Sequence, residues 1–257
     1  DLNPANTPIT ENFHADPSHE DPGGPPFIRV TNPHIAVGHL NHLRITRPDI
    51  LFAISVLSTA VACWSIKHDK AFTQILRYLR GTPDRLLSFD PKYEFRIFHA
   101  YSDASYGTEL HHGLTGLAKS RTGYLIFLMG GIVNHLSARQ IATAASTYEA
   151  ELAALSLLVR TLVVLQATVA TITNRPQPPT LVHQDNHSVI LTLQLRVLNE
   201  RQRHCRINLS LVIQAIDLGQ ISVIYCHTSK NLANFLTKGL SRSAFNDAVR
   251  AVNDTNG

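Results

Sequence analysis

The order of apolar runs after residue 95 constrains the fold of this 257-residue chain more than any other feature. Short β-rich runs come first, one long helical stretch interrupts them, and helices then alternate with strands. This order predicts an α/β domain built on a mixed sheet. The predicted strands span 95–101, 124–129, 132–136, 180–183 and 221–226, and the predicted helices span 147–172, 188–198 and 206–218, with further helices from Asn231 and Arg242.

The residues before this domain divide into two segments. Residues 1–27 hold five acidic residues, no Lys or Arg and six of the 13 prolines, which predicts a disordered, extended leader that buries no apolar surface. Residues 28–95 show helical spacing over 35–45, 49–64 and 67–79, and Gly81 and Pro83 end the last helix. The expected organisation is therefore a leader (1–27), a helical segment (28–95) and the sheet domain (96–257).

The charge distribution indicates an anionic partner. With the acidic leader set aside, residues 28–257 carry 23 basic and 14 acidic groups, a net charge of +9. A basic globule of this kind suits a polyanion such as nucleic acid.

The cysteines and apolar stretches indicate an intracellular protein. Three scattered cysteines cannot form a disulfide scaffold or a CxxC zinc site, and a reducing compartment, cytoplasmic or nuclear, is expected. The run over 152–172 is mostly apolar, but Arg160 interrupts it, and a charge near the centre of a membrane span costs about 2.5–3.5 kcal/mol. A buried helix is the better interpretation, and no membrane span or signal peptide is predicted.

Three acidic residues stand where the predicted elements would bring their side chains together. Asp103 lies in the first strand, Glu151 on the long helix, and Asp185 at the end of the fourth strand. Adjacent strands would place the two aspartates side by side, and a helix packed over them would add the glutamate. Three converging carboxylates repel one another unless a divalent cation lies between them, and such hard oxygen ligands select Mg²⁺ or Mn²⁺.

Each acid also has a purely structural explanation. Asp103 could be a turn residue, Asp185 a helix N-cap, and Glu151 a charge in the first turn of a helix. Glu149 is an alternative to Glu151 for the same position. The order of the three acids along the chain favours the convergent site.

Several short motifs occur in consistent order over about residues 28–250. Six lie in the predicted sheet domain: Tyr101-Ser-Asp-Ala-Ser, Ser120-Arg-Thr-Gly-Tyr124, Ser137-Ala-Arg-Gln140, Ser146-Thr-Tyr-Glu-Ala-Glu-Leu152, Gln184-Asp-Asn-His-Ser188 and Leu232-Ala-Asn-Phe-Leu-Thr-Lys238. Two lie upstream: Thr46-Arg-Pro-Asp-Ile50 and Leu76-Arg-Tyr-Leu-Arg-Gly-Thr82. The first six resemble the ribonuclease H domain in the C-terminal part of the Pol polyprotein of Ty1/copia-type LTR retrotransposons, and the upstream two resemble the segment that joins the reverse transcriptase to that domain.

The resemblance implies a ribonuclease H-like fold and activity. The fold would be a five-stranded mixed sheet with helices on both faces, its first three strands antiparallel, preceded by a small helical segment. The activity would be cleavage of the RNA strand of RNA–DNA hybrids by two Mg²⁺ (or Mn²⁺) ions. By position, Asp103, Glu151 and Asp185 would hold the metals; Glu151 is preferred to Glu149 because Ala and an aliphatic residue follow it at +3 and +4, as in the family.

The sequence departs from the family pattern at a fourth catalytic position. The pattern Leu-Ala-Asp reads Leu232-Ala233-Asn234 here, so a neutral amide replaces a charged ligand. This change would weaken one metal site. Nearby, the family's Lys-His-Ile-Asp reads Arg203-His204-Cys205-Arg206.

Four further residues are predicted nucleic-acid contacts: Arg139, Asn186, Arg203 and His227. Arginines in such positions contact phosphates, which set affinity and position rather than sequence. His227 follows the last strand, where some ribonucleases H carry a mobile histidine that helps to release product. Solvated surface charges and an ordinary loop histidine are the alternatives.

Three functional hypotheses follow. The first is a metal-dependent endonuclease for RNA–DNA hybrids, impaired by Asn234. The second is a catalytically inactive nucleic-acid-binding module on the same fold, and a structural or interaction role is a third possibility. The missing charge at position 234 is the feature that distinguishes the first hypothesis from the second.

Overall fold

A five-stranded sheet forms the centre of the computed structural model, which describes residues 3–11, 13, 30–110, 118–197 and 200–254. The strand order is β3-β2-β1-β4-β5. The strands are β1 (Phe98–Leu110), β2 (Ala118–Leu128), β3 (Gly131–Arg139), β4 (Thr180–Gln184) and β5 (Ile221–Tyr225).

The strand directions confirm the predicted mixed sheet. β1 to β3 pair antiparallel, whereas β4 pairs parallel to both β1 and β5. In the strand order, β1 is the central strand. The β2–β3 hairpin turns at Met129 (φ 53°) and Gly130 (φ 72°), one residue earlier than predicted. Two consecutive positive φ values give the turn a twist that matches the flanking strands.

Seven α-helices accompany the sheet in the described part of the chain. The longest begins at the predicted residue because Ser146 caps it, accepting a hydrogen bond from the Glu149 N–H at 3.2 Å. It ends at Asn174, which adopts the left-handed conformation (φ 51°) typical of a helix C-terminus. The helices are α1 (Pro33–Leu43), α2 (Leu51–Thr59), α3 (Ile66–Gly81), α4 (Thr147–Thr173), α5 (His187–Leu195), α6 (Arg206–Asp217) and α7 (Arg242–Asp254).

Alternating side chains of the strands divide the apolar core between the two faces of the sheet. On one face, Tyr124 and Ile126 of β2 pack with α4 and α6. On the other, Leu125 and Phe127 pack with α2, α3 and α7. The helical segment before residue 96 therefore shares a core with the sheet. Helices cover both faces, as predicted.

α4 is the one helix in the described ranges that is long and apolar enough to cross a membrane by length and composition. Half of its most apolar stretch is buried inside the protein. Leu152, Leu155, Leu158 and Leu162 are at most 1% exposed and pack against the sheet. The helix therefore packs as the predicted core helix.

Part of the leader departs from the prediction of an extended tail that buries no apolar surface. Ile9 is 4% exposed and lies in the core beside α2 and α3. The Ala5 N–H donates to the Arg77 carbonyl at 3.2 Å, and the Gln74 amide donates to the Thr7 carbonyl at 3.1 Å. Hydrogen bonds from the backbone and side chains to α3, together with buried Ile9, thus offset the unfavourable composition of residues 3–11. Most of the leader, residues 14–27, lies outside the described residues.

A buried ion pair joins the two upstream motifs. The Arg47 guanidinium donates to both Asp49 carboxylate oxygens, at 2.9 and 2.8 Å, and to the Thr82 carbonyl at 2.9 Å. The Tyr78 hydroxyl donates to Asp49 at 2.7 Å. Asp49 is 6% exposed and Arg47 9%, so the chain turn before α2 is tied to the end of α3 inside the core.

Replacing Asp49 with Ala is expected to destabilise the protein by about 3–5 kcal/mol, because it leaves the buried Arg47 charge without its partner. Denaturant unfolding of the Asp49→Ala variant measures this loss. Asp247→Ala is the matched control: its pair with Arg250 lies on the surface and should contribute less than about 1 kcal/mol. Equal stabilities of the two variants would contradict the structural role of Asp49.

Candidate active site

The parallel pairing of β1 and β4 brings the two predicted aspartates together. Tyr101 of β1 pairs with His183 of β4, and continuing this register by two residues places Asp185 beside Asp103. Asp185 directly follows the end of β4. The Gln184 side-chain oxygen accepts hydrogen bonds from the backbone N–H groups of Asp185 and Asn186, at 2.7 and 3.0 Å, which fixes the turn that carries Asp185.

The first turns of α4 add the third carboxylate. Carboxylate oxygens of Asp103, Glu151 and Asp185 all lie within 4.8 Å of one another. Asp103 is 2% exposed and Glu151 4%, while Asp185 is half-buried. The cluster is thus closed on the side of the core and reached from solvent past Asp185.

Burial and mutual repulsion disfavour ionisation of this cluster. Burial, and then the charges of Asp103 and Asp185, raise the pKa of Glu151 well above its usual value. Burial also raises the pKa of Asp103, although Lys238 and the Thr237 hydroxyl oppose this shift. The Glu151 Oε2 atom is buried and accepts no hydrogen bond from any residue that the structure describes. Such hard, uncompensated oxygen donors fit a divalent cation such as Mg²⁺ or Mn²⁺.

A short turn after β5 supports Asp103. This turn packs on the sheet face opposite to α4. The Thr237 hydroxyl donates a hydrogen bond to Asp103 Oδ2. Gly123 pairs with Asp103 across β1 and β2, and a Cβ added to Gly123 would lie 2.7 Å from Thr237 Cγ2. The glycine is therefore required for the turn to approach the sheet closely enough to contact Asp103.

Asn234 lies in this supporting turn. It forms a short 3-10 helix, Asn234–Leu236, where the sequence predicted a helix from Asn231. Its backbone oxygen lies 3.0 Å from the Thr237 hydroxyl that contacts Asp103. Its side-chain amide N–H donates to the Thr228 carbonyl, while its Oδ1 is buried without a hydrogen-bond partner among the described residues. The fourth predicted position is therefore linked to the cluster through Thr237, and the Asn234 Oδ1 acceptor is unused among the described residues.

Glu149, the alternative to Glu151, lies outside the carboxylate cluster. Its carboxylate accepts a hydrogen bond from the Ala145 N–H and lies 3.1 Å from His204 Nε2. Two positions along a helix rotate a side chain by about 200°, so the two glutamates face different neighbours. The geometry favours Glu151 as the member of the cluster.

The four predicted nucleic-acid contacts are dispersed. Arg139 ends β3, opposite Arg121 of β2. Asn186 caps α5 by accepting from the Val189 N–H at 3.1 Å. Arg203 is exposed on a 3-10 helix, Glu200–Cys205. The His227 ring lies 2.8 Å from the Ser229 hydroxyl and caps the turn that follows β5. Their contacts with nucleic acid stay a prediction, and Asn186 and His227 have local structural roles.

Sequence reasoning missed the residues that hold the cluster in place. Gln184, Gly123 and Thr237 stand inside recognised motifs, but their contacts link residues up to 134 positions apart. A second group, Glu149, His204 and Cys205, also converges within 4.8 Å. The sequence did not indicate this second group, because it contains no CxxC or HExxH motif.

Neutralising Glu151 should stabilise the metal-free protein. Glu151→Gln removes one of three mutually repelling buried carboxylates at nearly constant volume, so the unfolding free energy at neutral pH should rise by roughly 1 kcal/mol. Because the folded-state pKa of Glu151 is raised, this gain should vanish as the pH falls through the carboxyl range, where the wild-type group is protonated anyway.

Thermal unfolding in EDTA at neutral and acidic pH measures this gain. The matched control is Glu94→Gln, which changes an exposed glutamate. A Glu151→Gln variant that is less stable than the wild type at neutral pH would show that the carboxylates are not under mutual repulsion.

Sequence comparisons identify the relatives of this chain. It is 29% identical over 216 residues, 84% of the chain, to a retrovirus-related Pol polyprotein from the Arabidopsis thaliana transposon RE2. It is 30% identical over 214 residues, 82% of the chain, to the corresponding polyprotein from the Nicotiana tabacum transposon TNT 1-94. The chain is a homologue of copia-type Pol polyproteins. This confirms the resemblance deduced from the motifs.

The Pol homologue described here spans only part of its relatives' length. The matched region covers 14% of the RE2 polyprotein and 15% of the TNT 1-94 polyprotein. No protein-family model matches the chain. Among solved structures, it is similar to LC11-RNase H1, isolated from compost, with 18% identity and a TM-score of 0.40, over 60% of this chain and 99% of that protein.

Proposed function

We propose that this chain is a metal-dependent endonuclease that cleaves the RNA strand of RNA–DNA hybrids. The convergence of Asp103, Glu151 and Asp185 where β4 ends beside β1 carries the proposal. Homology to copia-type Pol polyproteins supports a nuclease-type function on nucleic acid. The fold and the order of the three acids agree with the resemblance of the motifs to a ribonuclease H domain.

Asp103, Glu151 and Asp185 would hold the metal, two ions by analogy with the family. Bound Mg²⁺ or Mn²⁺ would supply an activated water and stabilise the leaving 3′-oxygen. The protein's own residues position these ligands: Thr237 orients Asp103, and Gln184 fixes the backbone of Asp185. Half-buried Asp185 lies on the open side of the cluster, where a phosphodiester would approach.

A catalytically inactive nucleic-acid-binding module is the second candidate, and Asn234 favours it. An amide at this position contributes no charge to offset the repulsion between two divalent ions. The orphaned Oδ1 could act as a neutral ligand, but the amide nitrogen is committed to the Thr228 carbonyl. The two candidates therefore differ in whether three carboxylates are sufficient to hold the metal for catalysis.

Cleavage of an end-labelled RNA–DNA hybrid in Mg²⁺ and in Mn²⁺ tests the proposal. Slow cleavage in Mg²⁺, partly rescued by Mn²⁺, is expected, with products from the RNA strand only. The control substrate is double-stranded DNA of the same sequence. Specific binding of the hybrid without cleavage in either metal would refute the enzyme and support the binding module.

Binding to nucleic acid should depend strongly on salt. The net charge of +9 over residues 28–257 predicts phosphate contacts that release counterions, so affinity should fall by about 10³-fold or more between 50 and 200 mM salt if six or more phosphates are contacted. Fluorescence anisotropy with hybrid and with duplex DNA measures this slope. Affinity that does not change with salt would contradict a phosphate-binding surface.

We place this activity inside the cell, in the cytoplasm or nucleus. The three cysteines, Cys63, Cys205 and Cys226, are free. Free thiols persist in reducing compartments.

A further inference from the structure

The second cluster of metal-ligating side chains lies beside the start of α4 and outside the carboxylate cluster. It combines Glu149 of α4 with His204 and Cys205 of the 3-10 helix Glu200–Cys205. One carboxylate oxygen, one imidazole nitrogen and the Cys205 Sγ all lie within 4.8 Å of one another. These three donors are chemically different from the all-oxygen set of the candidate active site.

We infer that Glu149, His204 and Cys205 form a zinc-binding site that ties the 3-10 helix to the first turn of α4. The inference is independent of the proposed nuclease function.

The donor types select the metal. A thiolate with an imidazole and a carboxylate suits Zn²⁺, whereas Mg²⁺ avoids sulfur ligands. Tetrahedral coordination by these donors requires separations of about 3.4–3.6 Å between ligand atoms. The Glu149 and His204 atoms are 3.1 Å apart and the Cys205 Sγ lies within 4.8 Å of both residues' ligand atoms, so side-chain shifts of about 1 Å reach this geometry. Three protein ligands leave the fourth position for water.

An ordinary ion pair beside a buried cysteine is the alternative explanation. His204 is half-exposed and could simply pair with Glu149. Cys205 is 3% exposed and packs in the core with Leu209 and Val212, as a small apolar residue would. However, core packing does not require the Cys205 sulfur to approach a carboxylate–imidazole pair, yet Sγ lies within 4.8 Å of ligand atoms of both Glu149 and His204. The thiol therefore adds a third donor at a place where two potential ligands already meet.

Zinc binding requires Cys205 to lose its thiol proton. Burial, with a smaller contribution from Glu149, raises the pKa of Cys205 to about 11. A thiolate-binding metal must displace that proton, which zinc does in protein sites. Without metal the buried thiol stays protonated and unreactive.

Titration of the chelator-treated full chain with Co²⁺, a spectroscopic substitute for Zn²⁺, tests the site. One equivalent should give thiolate-to-cobalt charge-transfer absorption that added Zn²⁺ abolishes. Cys205→Ala, which keeps a small apolar side chain, should lose this absorption and bind Zn²⁺ at least about tenfold more weakly. Cys226→Ala is the matched control. It removes a thiol near the carboxylate cluster and leaves the proposed zinc site intact, so it should give the same absorption as the wild type.

Two further variants keep the test decisive. His204→Gln changes a half-exposed side chain that should not affect folding, and it should also weaken Zn²⁺ binding at least about tenfold. Asp103→Asn, which changes only the carboxylate cluster, should keep the absorption. The inference is overturned if the wild type gives no charge-transfer absorption, or if Cys226→Ala loses it while Cys205→Ala retains it. None of these readouts depends on nuclease activity.

Discussion

Asp103→Asn is expected to reduce hybrid cleavage at least about 10²–10³-fold in either metal, the loss typical of removing one preorganised electrostatic partner. Asp103 is buried at the centre of the carboxylate cluster, and its neighbours Glu151 and Asp185 cannot compensate for its charge. The substitution preserves shape, and an amide oxygen can still accept from the Thr237 hydroxyl. The fold should therefore persist.

Single-turnover cleavage of labelled hybrid, with thermal unfolding as a check on folding, measures this effect. Asp185→Asn should behave in the same way. Asp217→Asn is the matched control, since Asp217 lies on the surface at the end of α6 and pairs only with Arg196 in the described structure. If Asp103→Asn cleaves as fast as the wild type, the observed activity does not arise from this cluster.

The fold was predictable because local pattern and chain order agree. The two β-rich runs that flank the turn at Gly130 and the apolar run of α4 each specify their element through neighbouring residues, and Ser146 caps α4 at its predicted start. The order of these elements then limits the sheet to few topologies. The proximity of Asp103 and Asp185 followed from that topology, because the end of β4 lies beside the middle of its parallel neighbour β1.

Contacts between distant residues were not predictable in this way. Thr237 contacts Asp103 across 134 positions, and this contact depends on the missing side chain of Gly123. Ile9 packs in the core although the composition of residues 1–27 predicts disorder, because one backbone hydrogen bond and two donated by side chains of α3 hold this short segment. Composition averages over such anchors, and only the three-dimensional structure shows them.

Asn234→Asp is expected to increase the cleavage rate in Mg²⁺ by up to about 10²–10³-fold, because it adds the fourth charge that offsets the repulsion between two metal ions. The turn that contains Asn234 already contacts Asp103 through Thr237. The same substitution should destabilise the metal-free protein, because one carboxylate oxygen would replace the amide N–H that faces the Thr228 carbonyl. Losing this buried hydrogen bond should reduce the unfolding free energy by about 1–3 kcal/mol.

Divalent metal should restore that loss, since a bound cation stabilises only the folded state. Thermal unfolding with and without Mg²⁺, beside the cleavage assay, separates the two effects. The matched control is Asn174→Asp, at the far end of α4 and about 35 Å along that helix from Glu151, which should change neither rate nor metal response. A folded Asn234→Asp variant that binds hybrid and Mg²⁺ but cleaves no faster than the wild type would show that more than one ligand limits catalysis. The binding module would then describe this chain better than the enzyme, because restoring the fourth charge is the one change that distinguishes them.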